Sequence, residues 1–357
     1  MRLLALVTDG FGVSGGIARY NQDLMAALSQ SAAISQIAVL PRRASATATL
    51  PAKVRQLAPS AGRASWSVRA LALGARQRFD VVLCGHLNAV PLAAAIAGFR
   101  RVPLWVQVHG IEAWQRRGAA YRRGLATATL ITSVSRYTRA RLLRWADVAP
   151  QRVRVLPNTV GSQYGPRAKP RGLANRLGLS GRRVVLTVGR LSTSERYKGH
   201  DRLIAALPGI LARVPDAAYL VVGSGDDRPR LERLAREAGV RDRVVFAGQV
   251  ADAELADYFA LADVFAMPST GEGFGIAFLE AAASGLPVIG GSRDGSVDAL
   301  AEGRIGRLVD PDARAEITAA VVDALVGNTR TCATEANRFA FNRFATHVDA
   351  LLAGLAR

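Results

Sequence analysis

Cysteine is nearly absent from this chain. Cys84 and Cys332 are the only two in 357 residues, and neither lies near a second Cys or a His at metal-ligand spacing. Neither a disulfide framework nor a zinc site is expected, and a reducing compartment is the simpler setting. Cys84 follows the apolar run Val81-Val82-Leu83 and reads as core filler. Long apolar runs are missing too. Ala89 to Gly98 stops at Arg100-Arg101, short of the ~18 residues that span a bilayer, so no membrane crossing is expected. Leu3 to Val7 is too short for a signal-peptide core and fits a first buried strand.

In the first half, acid is scarce. Residues 1–165 hold 22 Arg/Lys against 5 Asp/Glu, a net of +17; residues 166–357 hold 25 against 23, a net of +2. One half is strongly cationic, which calls for an anionic partner: phosphate groups, nucleic acid or a lipid surface. Aromatics at 6% and the lack of a recognition motif argue against nucleic acid, despite the run Arg116, Arg117, Arg122, Arg123, Arg136, Arg139, Arg141 and Arg144. With 50% hydrophobic and 21% charged residues the composition is globular, and the length suits two domains.

Short β-branched runs alternate with helical segments, the pattern of parallel sheets with crossover helices. Strands are expected at Leu3–Val7, Ile37–Leu40, Val81–Leu83, Leu104–Val108, Leu130–Thr132 and Val153–Leu156, then at Val184–Val188, Tyr219–Val222, Val244–Phe246, Val264–Met267 and Val288–Gly290. Asp227 before Pro229 and Asp252 before Ala253 to Leu261 mark helix starts. Gly161 to Leu179, with Pro166, Pro170 and four glycines, reads as a linker. The expected division is 1–165, a linker at 166–180, 181–335, and a closing helix at 336–357 that returns to the first domain.

Ligands bind at the carboxyl ends of strands in such sheets. After the first strand, Gly10-x-Gly12-x-x-Gly15 leads into a helix from Ile17 to Leu28, so backbone amides can approach an anion there. The second strand ends in Pro41-Arg42-Arg43 without an acidic ribose ligand, which leaves an NADP-dependent oxidoreductase as an alternative. In the second half, Gly189-Arg190 follows one strand, with Lys198 in Arg196-Tyr197-Lys198-Gly199-His200. Another strand is followed by Pro268 to Gly275, opening a helix that contains Glu280. A lone Arg or Lys after a strand is usually solvated, and a lone glycine-rich loop is usually a turn. Occurring together at successive strand ends, they are better explained by one shared diphosphate ligand.

These stretches resemble the retaining glycosyltransferases of family 4. The resemblance rests on Val188-Gly189-Arg190-Leu191 with Lys198-Gly199, Val221-Val222-Gly223-Ser224-Gly225, Val245-Phe246-Ala247-Gly248, Glu272-Gly273-Phe274-Gly275 through Glu280-Ala281 (the family's E-x7-E), Gly285-Leu286-Pro287-Val288 and Gly306-Arg307-Leu308-Val309. Gly15-Gly16, His109-Gly110, Ser133-x-Ser135 and Leu156-Pro157-Asn158 are looser landmarks in the first half. The family's Pro-Asn-Gly-Val is Pro157-Asn158-Thr159-Val160 here, and the Arg190-to-Lys198 loop is longer than the commonest form.

The resemblance implies an α/β fold of the GT-B type, two doubly wound Rossmann-like domains facing a central cleft. It assigns the donor diphosphate to Arg190, Lys198 and the amides of Phe274 and Gly275, with Gly189 and Ile276 beside them. It gives the ribose to Glu280, the donor sugar to Glu272 and the reacting sugar to His109. Gly15 and Gly16 close over the phosphates, and Gln249-Val250 lie near the base. The implied reaction moves a sugar from a nucleoside diphosphate sugar to an acceptor hydroxyl with retention. No cofactor or metal is expected, since fixed cations can neutralise the leaving group, and Asp226-Asp227 and Asp310-x-Asp312 look like helix caps. Arg196 to His200 is similar to some mannosyltransferases and tilts the donor toward GDP-mannose over UDP-sugars. The expected acceptor is a saccharide, linked to a lipid such as polyprenyl diphosphate, in bacterial surface polysaccharide synthesis; a soluble acceptor is the alternative. Arg116, Arg117, Arg122 and Arg123 are assigned to an anionic membrane or acceptor surface. The expected location is cytoplasmic, peripheral on the inner face of the plasma membrane.

Overall fold

A computed structural model describes residues 1–45, 48–60, 62–327 and 333–355; Cys332 lies outside them. The chain forms two units, Met1–Thr159 with Phe341–Arg357, and Val160–Ala340.

The first unit is built on seven strands: β1 (Arg2–Asp9), β2 (Gln36–Arg43), β3 (Val54–Gln56), β4 (Val81–Cys84), β5 (Leu104–Val108), β6 (Leu130–Ser133) and β7 (Val153–Val155). They pair in parallel in the order β3-β2-β1-β4-β5-β6-β7. Helices cover both faces of such a sheet, which is why residues 3–7 of β1 and all of β4 read as unbroken apolar runs rather than alternating ones. Leu4, Leu6, Val82, Val106 and Ile131 pack with Trp66, Ala93, Ile96 and Leu125 from the crossover helices. Cys84 is buried in that core.

The second unit has six parallel strands: β8 (Arg183–Val188), β9 (Ala217–Val222), β10 (Val244–Gly248), β11 (Val264–Met267), β12 (Val288–Gly291) and β13 (Arg307–Val309). Their order is β10-β9-β8-β11-β12-β13. Val185, Tyr219, Val264 and Ile289 pack with Leu203, Ile204, Leu207, Ile317 and Val321. In both sheets the winding direction reverses beside the first strand, between β1 and β4 and between β8 and β11. Loops leave opposite faces at such a point and open a crevice at the carboxyl edge.

Several boundaries differ from the sequence reading. The 3-residue strands β3 and β13 were not expected. The segment read as a linker is fastened to the second unit: Lys169 Nζ lies 2.6 Å from Asp263, Arg167 pairs with Asp257 at 3.5 Å, and helix Arg171–Arg176 buries Leu173. The unit boundary falls at Thr159/Val160 rather than at 165. The last helix starts at Phe341, not 336, and places Phe344, Val348, Leu352 and Leu355 on one buried stripe. It packs on helix Gly16–Gln30 of its own unit, with Phe344 edge-on to Tyr20 at 5.9 Å and Ser31 donating to Asp349.

Candidate active site

In the second unit, the crevice between β8 and β11 collects most of the second-half residues singled out from the sequence. Arg190 stands just beyond β8, and residues 193–198 form a short 3-10 segment that returns Lys198 to the strand end. A Cβ on Gly189 would lie 2.9 Å from Lys198 Cδ, so the glycine makes room for the lysine stem. The loop after β11 joins this turn: Thr270 N donates to Tyr197 O at 2.8 Å. Lys198 Nζ then reaches Glu272 Oε1 at 2.5 Å and lies 3.7 Å from Glu195 Oε2. Arg190 pairs with the other oxygen of Glu195. Lys198, Glu195 and Glu272 are nearly buried while the Arg190 side chain is 78% exposed. Burial and the neighbouring Glu272 and Glu195 carboxylates push the Tyr197 phenol well above its ordinary value.

Gly275 (φ +88) occupies the left-handed region at the N-cap of helix Ile276–Ala283, and a Cβ there would meet the Phe278 ring at 2.6 Å. The helix therefore starts with its first amides toward the crevice edge, a site favourable to anions. Phe274 is buried against Phe339, ring centroids 5.6 Å apart; Ile276 is half-buried, and Glu280 is buried in the second turn. Gln249 and Val250 follow β10, two strands from β8 in the sheet.

Of the carboxylates that shape these loops, Asp294 was not singled out in the sequence and others were read as helix caps. Asp294 is buried and accepts from Ser269 Oγ (2.8 Å), Glu272 N (2.7 Å), Ser296 N (2.9 Å) and Ser296 Oγ (2.5 Å). Burial raises its pKa against the pull of those donors. Asp226 and Asp227 are not the helix caps they resembled. Asp226 accepts from Thr193 N and Oγ1 at 3.0 and 2.7 Å. Asp227 sits at the cap position of helix Arg228–Glu237 without capping it, and pairs with Arg196 (2.9 Å) and Arg230 (2.7 Å). Burial pushes its pKa up, but the two guanidinium groups hold it below the ordinary carboxylate value. Asp310 and Asp312 are likewise tied to Arg293, each at 2.6 Å, rather than capping helix Arg314–Leu325. Helix Leu255–Leu261 begins after Glu254, so Asp252 is not its cap either.

Below the loops His200 is buried. Thr187 Oγ1 donates to Ala266 O (2.6 Å) and so accepts from Tyr219 Oη (2.9 Å). Tyr219 Oη must then accept from His200 Nδ1 at 3.1 Å, which leaves Nε2 bare and without a partner among the described residues. Burial and the Lys198 charge lower the His200 pKa to about 4.

In the first unit, the carboxyl edge near the β1/β4 switch point carries two histidines. His109, after β5, donates from Nε2 to Gly85 O at 2.9 Å, so Nδ1 is the bare nitrogen. Its backbone N donates to Glu112 Oε1 at 2.5 Å, and its ring meets Tyr20 edge-on at 5.1 Å. Withdrawal from water lowers its pKa. His86, after β4, lies 6.1 Å from it, ring to ring, and burial lowers its pKa to about 4. His109 was singled out by the family resemblance, whereas His86, at the end of the neighbouring strand, was not singled out. Gly15 (φ +116) and Gly16 open helix Gly16–Gln30 with nothing crowding them. The Gly10 loop is held by Gln56 of β3, whose Oε1 accepts from Phe11 N at 2.7 Å, and Arg43 is paired with Asp9. Of the four arginines assigned to a surface, Arg116 and Arg123 are exposed, Arg117 donates to Glu112 O (3.2 Å) and Asn88 (3.3 Å), and Arg122 pairs with Asp147 (3.2 Å).

A family model described as "Glycosyltransferase Family 4" matches residues 14–163, and one described as "Glycosyl transferases group 1" matches residues 182–326. Among curated relatives, a GDP-mannose-dependent alpha-(1-6)-phosphatidylinositol monomannoside mannosyltransferase of Mycolicibacterium smegmatis is 36% identical over 262 residues, covering 69% of this chain and 67% of that protein. A phosphatidyl-myo-inositol mannosyltransferase of the same organism is 40% identical over 144 residues, 40% of this chain and 36% of that one. The solved structure of Anabaena HepE in complex with UDP superposes with a TM-score of 0.79 at 21% identity, covering 99% of this chain and 100% of that one. Sucrose-phosphate synthase from Thermosynechococcus elongatus gives 0.80 at 22% identity, covering 100% and 99%. The two Rossmann-like parallel-sheet units are those of the GT-B fold.

Proposed function

The chain belongs to the family 4 glycosyltransferases, and from that membership we propose that it moves mannose from GDP-mannose to a hydroxyl of a lipid-linked glycoside, with retention at the anomeric carbon. The best support is the seat at the β8/β11 switch point, where Arg190, Lys198, Glu272 and the start of helix Ile276–Ala283 come from two adjoining strand ends. The relatives that combine GDP-mannose with a phosphatidylinositol-linked acceptor favour that donor and acceptor class.

As the glycosidic bond breaks, negative charge grows on the leaving diphosphate. Arg190 and Lys198 supply fixed positive charge, and Phe274 and Gly275 supply amides at a helix N-terminus, so stabilisation is greatest where the charge develops. Glu272 is assigned to the donor-sugar hydroxyls and Glu280 to the ribose. From the first unit, Gly15 and Gly16 are assigned to the phosphates and His109 to the reacting sugar. His109 Nδ1 is an acceptor at neutral pH, suited to a sugar hydroxyl rather than to a phosphate. Charge neutralisation by side chains gives a reaction that needs no divalent ion.

Transfer from radiolabelled GDP-mannose and UDP-glucose, with and without EDTA, onto phosphatidylinositol mannoside, polyprenyl diphosphate-linked and soluble acceptors tests this reading. It predicts EDTA-resistant transfer of mannose to a lipid-linked acceptor and an α-mannoside by proton NMR. Transfer from UDP-glucose alone, or an inverted product, contradicts it.

A further inference from the structure

The donor seat contains its own anions. Arg190 and Lys198 face Glu195 and Glu272, two cations against two carboxylates, so the charges of these four side chains cancel. Glu272 is assigned to the sugar; Glu195 has no such task, yet it touches both cations. It is also held in place: its backbone N donates to Ser192 O at 2.8 Å, and its neighbours Thr193 and Arg196 are pinned by Asp226 and Asp227. Its side chain is 10% exposed against 78% for Arg190, so the arginine is the freer partner to turn toward an incoming ligand. A nucleoside diphosphate arriving here must draw Arg190 and Lys198 away from Glu195 and then sit near a fixed carboxylate of its own sign. Like charges at such range oppose binding, more strongly where solvent is excluded.

We propose that Glu195 is a built-in competitor of the donor diphosphate: it neutralises Arg190 and Lys198 while the seat is empty, weakens the hold on the diphosphate, and so speeds release of the nucleoside diphosphate product. This rests on the assignment of Arg190 and Lys198 to that diphosphate. A carboxylate that only braced the two cations would act with the opposite sign, because removing its charge would loosen them and weaken binding.

The sign is measurable. Calorimetric titration of wild type, Glu195→Gln, Glu195→Ala and Lys198→Ala with GDP, UDP and the uncharged nucleosides separates the cases. The expected result is that both Glu195 variants bind the matching diphosphate about tenfold more tightly, with slower release in stopped flow and a lower KM for the donor sugar nucleotide. Nucleoside affinity stays unchanged, because it lacks the phosphates. Weaker or unaltered diphosphate binding in folded Glu195 variants, while Lys198→Ala still weakens it, overturns the role of Glu195 alone. If Lys198→Ala also leaves diphosphate binding unchanged, the assignment of the seat falls and this inference with it. Equal tightening of nucleoside and diphosphate also overturns it.

Discussion

Lys198 is the residue on which most of the proposed chemistry turns. Its side chain is nearly enclosed, with Glu272 and Glu195 as its partners, so water screens little of the attraction between its ammonium and a diphosphate that draws it off Glu195. Lys198→Ala should lower kcat by about 10²–10³-fold, the usual loss for one preorganised charge-stabilising group, with far-ultraviolet circular dichroism unchanged; near-normal turnover contradicts the assignment. His200 supplies a pH test. Its pKa of about 4 in the folded protein lies below the ordinary 6.5, so the unfolded chain binds more protons between these values. Stability therefore rises with pH across that window and is lost as pH falls from 6.5 toward 4, by up to ~3 kcal/mol from this group. The stability difference between wild type and His200→Gln, from urea unfolding at each pH, should shrink across that window on acidification; a flat difference contradicts the buried neutral imidazole. Arg190, Lys198, Glu272 and Glu280 could be singled out in the sequence because they occur together after two strand ends and match the motifs of a known family. The role of Asp294, and that of Asp227 beyond a helix cap, could not be read there, because their partners Ser269 and Arg196 are 25 and 31 residues away and only folding brings them together.

At the level of elements, the strands long enough to fill a two-sided core announced themselves as apolar runs. Edge strands β3 and β13, with 3 residues each and only partial burial, were missed, although β7, equally short, was read, and β3 provides the Gln56 that secures the Gly10 loop. Cap signals misled where an ion pair outcompeted the helix: Asp227 stands at a cap position but serves Arg196 and Arg230. A charged partner offers a carboxylate more than a single backbone amide does. The loop after β11 depends on one such carboxylate. Asp294→Ala removes the acceptor of the Glu272 and Ser296 amides and of the Ser269 and Ser296 hydroxyls, only one of which can turn to the other at 2.9 Å, and leaving buried donors unmet costs about 1–3 kcal/mol apiece. The variant should unfold several kcal/mol sooner in urea and lose donor affinity, with Asp294→Asn recovering part of the loss. Wild-type stability in Asp294→Ala counts against this role.

Across the whole molecule, the charge is partitioned more sharply than a cut at residue 165 shows. The unit formed by 1–159 and 341–357 holds 24 Arg/Lys against 6 Asp/Glu, and the unit formed by 160–340 holds 23 against 22. Two paired cations in the second unit account for the proposed diphosphate seat and leave the excess on the first unexplained. Among the described residues no helix is long and apolar enough to cross a membrane. The first unit does expose Val68, Leu71 and Phe99 on helices Arg63–Arg76 and Val90–Arg100, which also carry Arg63, Arg69, Arg76 and Arg100. Basic residues close to an anionic leaflet contribute about 1 kcal/mol each. Binding to anionic vesicles that disappears in about 0.5 M NaCl is therefore predicted, whereas equal binding to neutral and anionic vesicles contradicts a charge-driven surface role. The central claim, that the donor diphosphate sits at the β8/β11 switch point, is tested most directly by a crystal structure with GDP-mannose or GDP bound. The account predicts phosphate oxygens on Arg190 Nη2 and Lys198 Nζ, with Arg190 drawn off Glu195. A diphosphate held by Arg42 and Arg43 and touching neither Arg190 nor Lys198, with Arg190 still paired to Glu195, would contradict it.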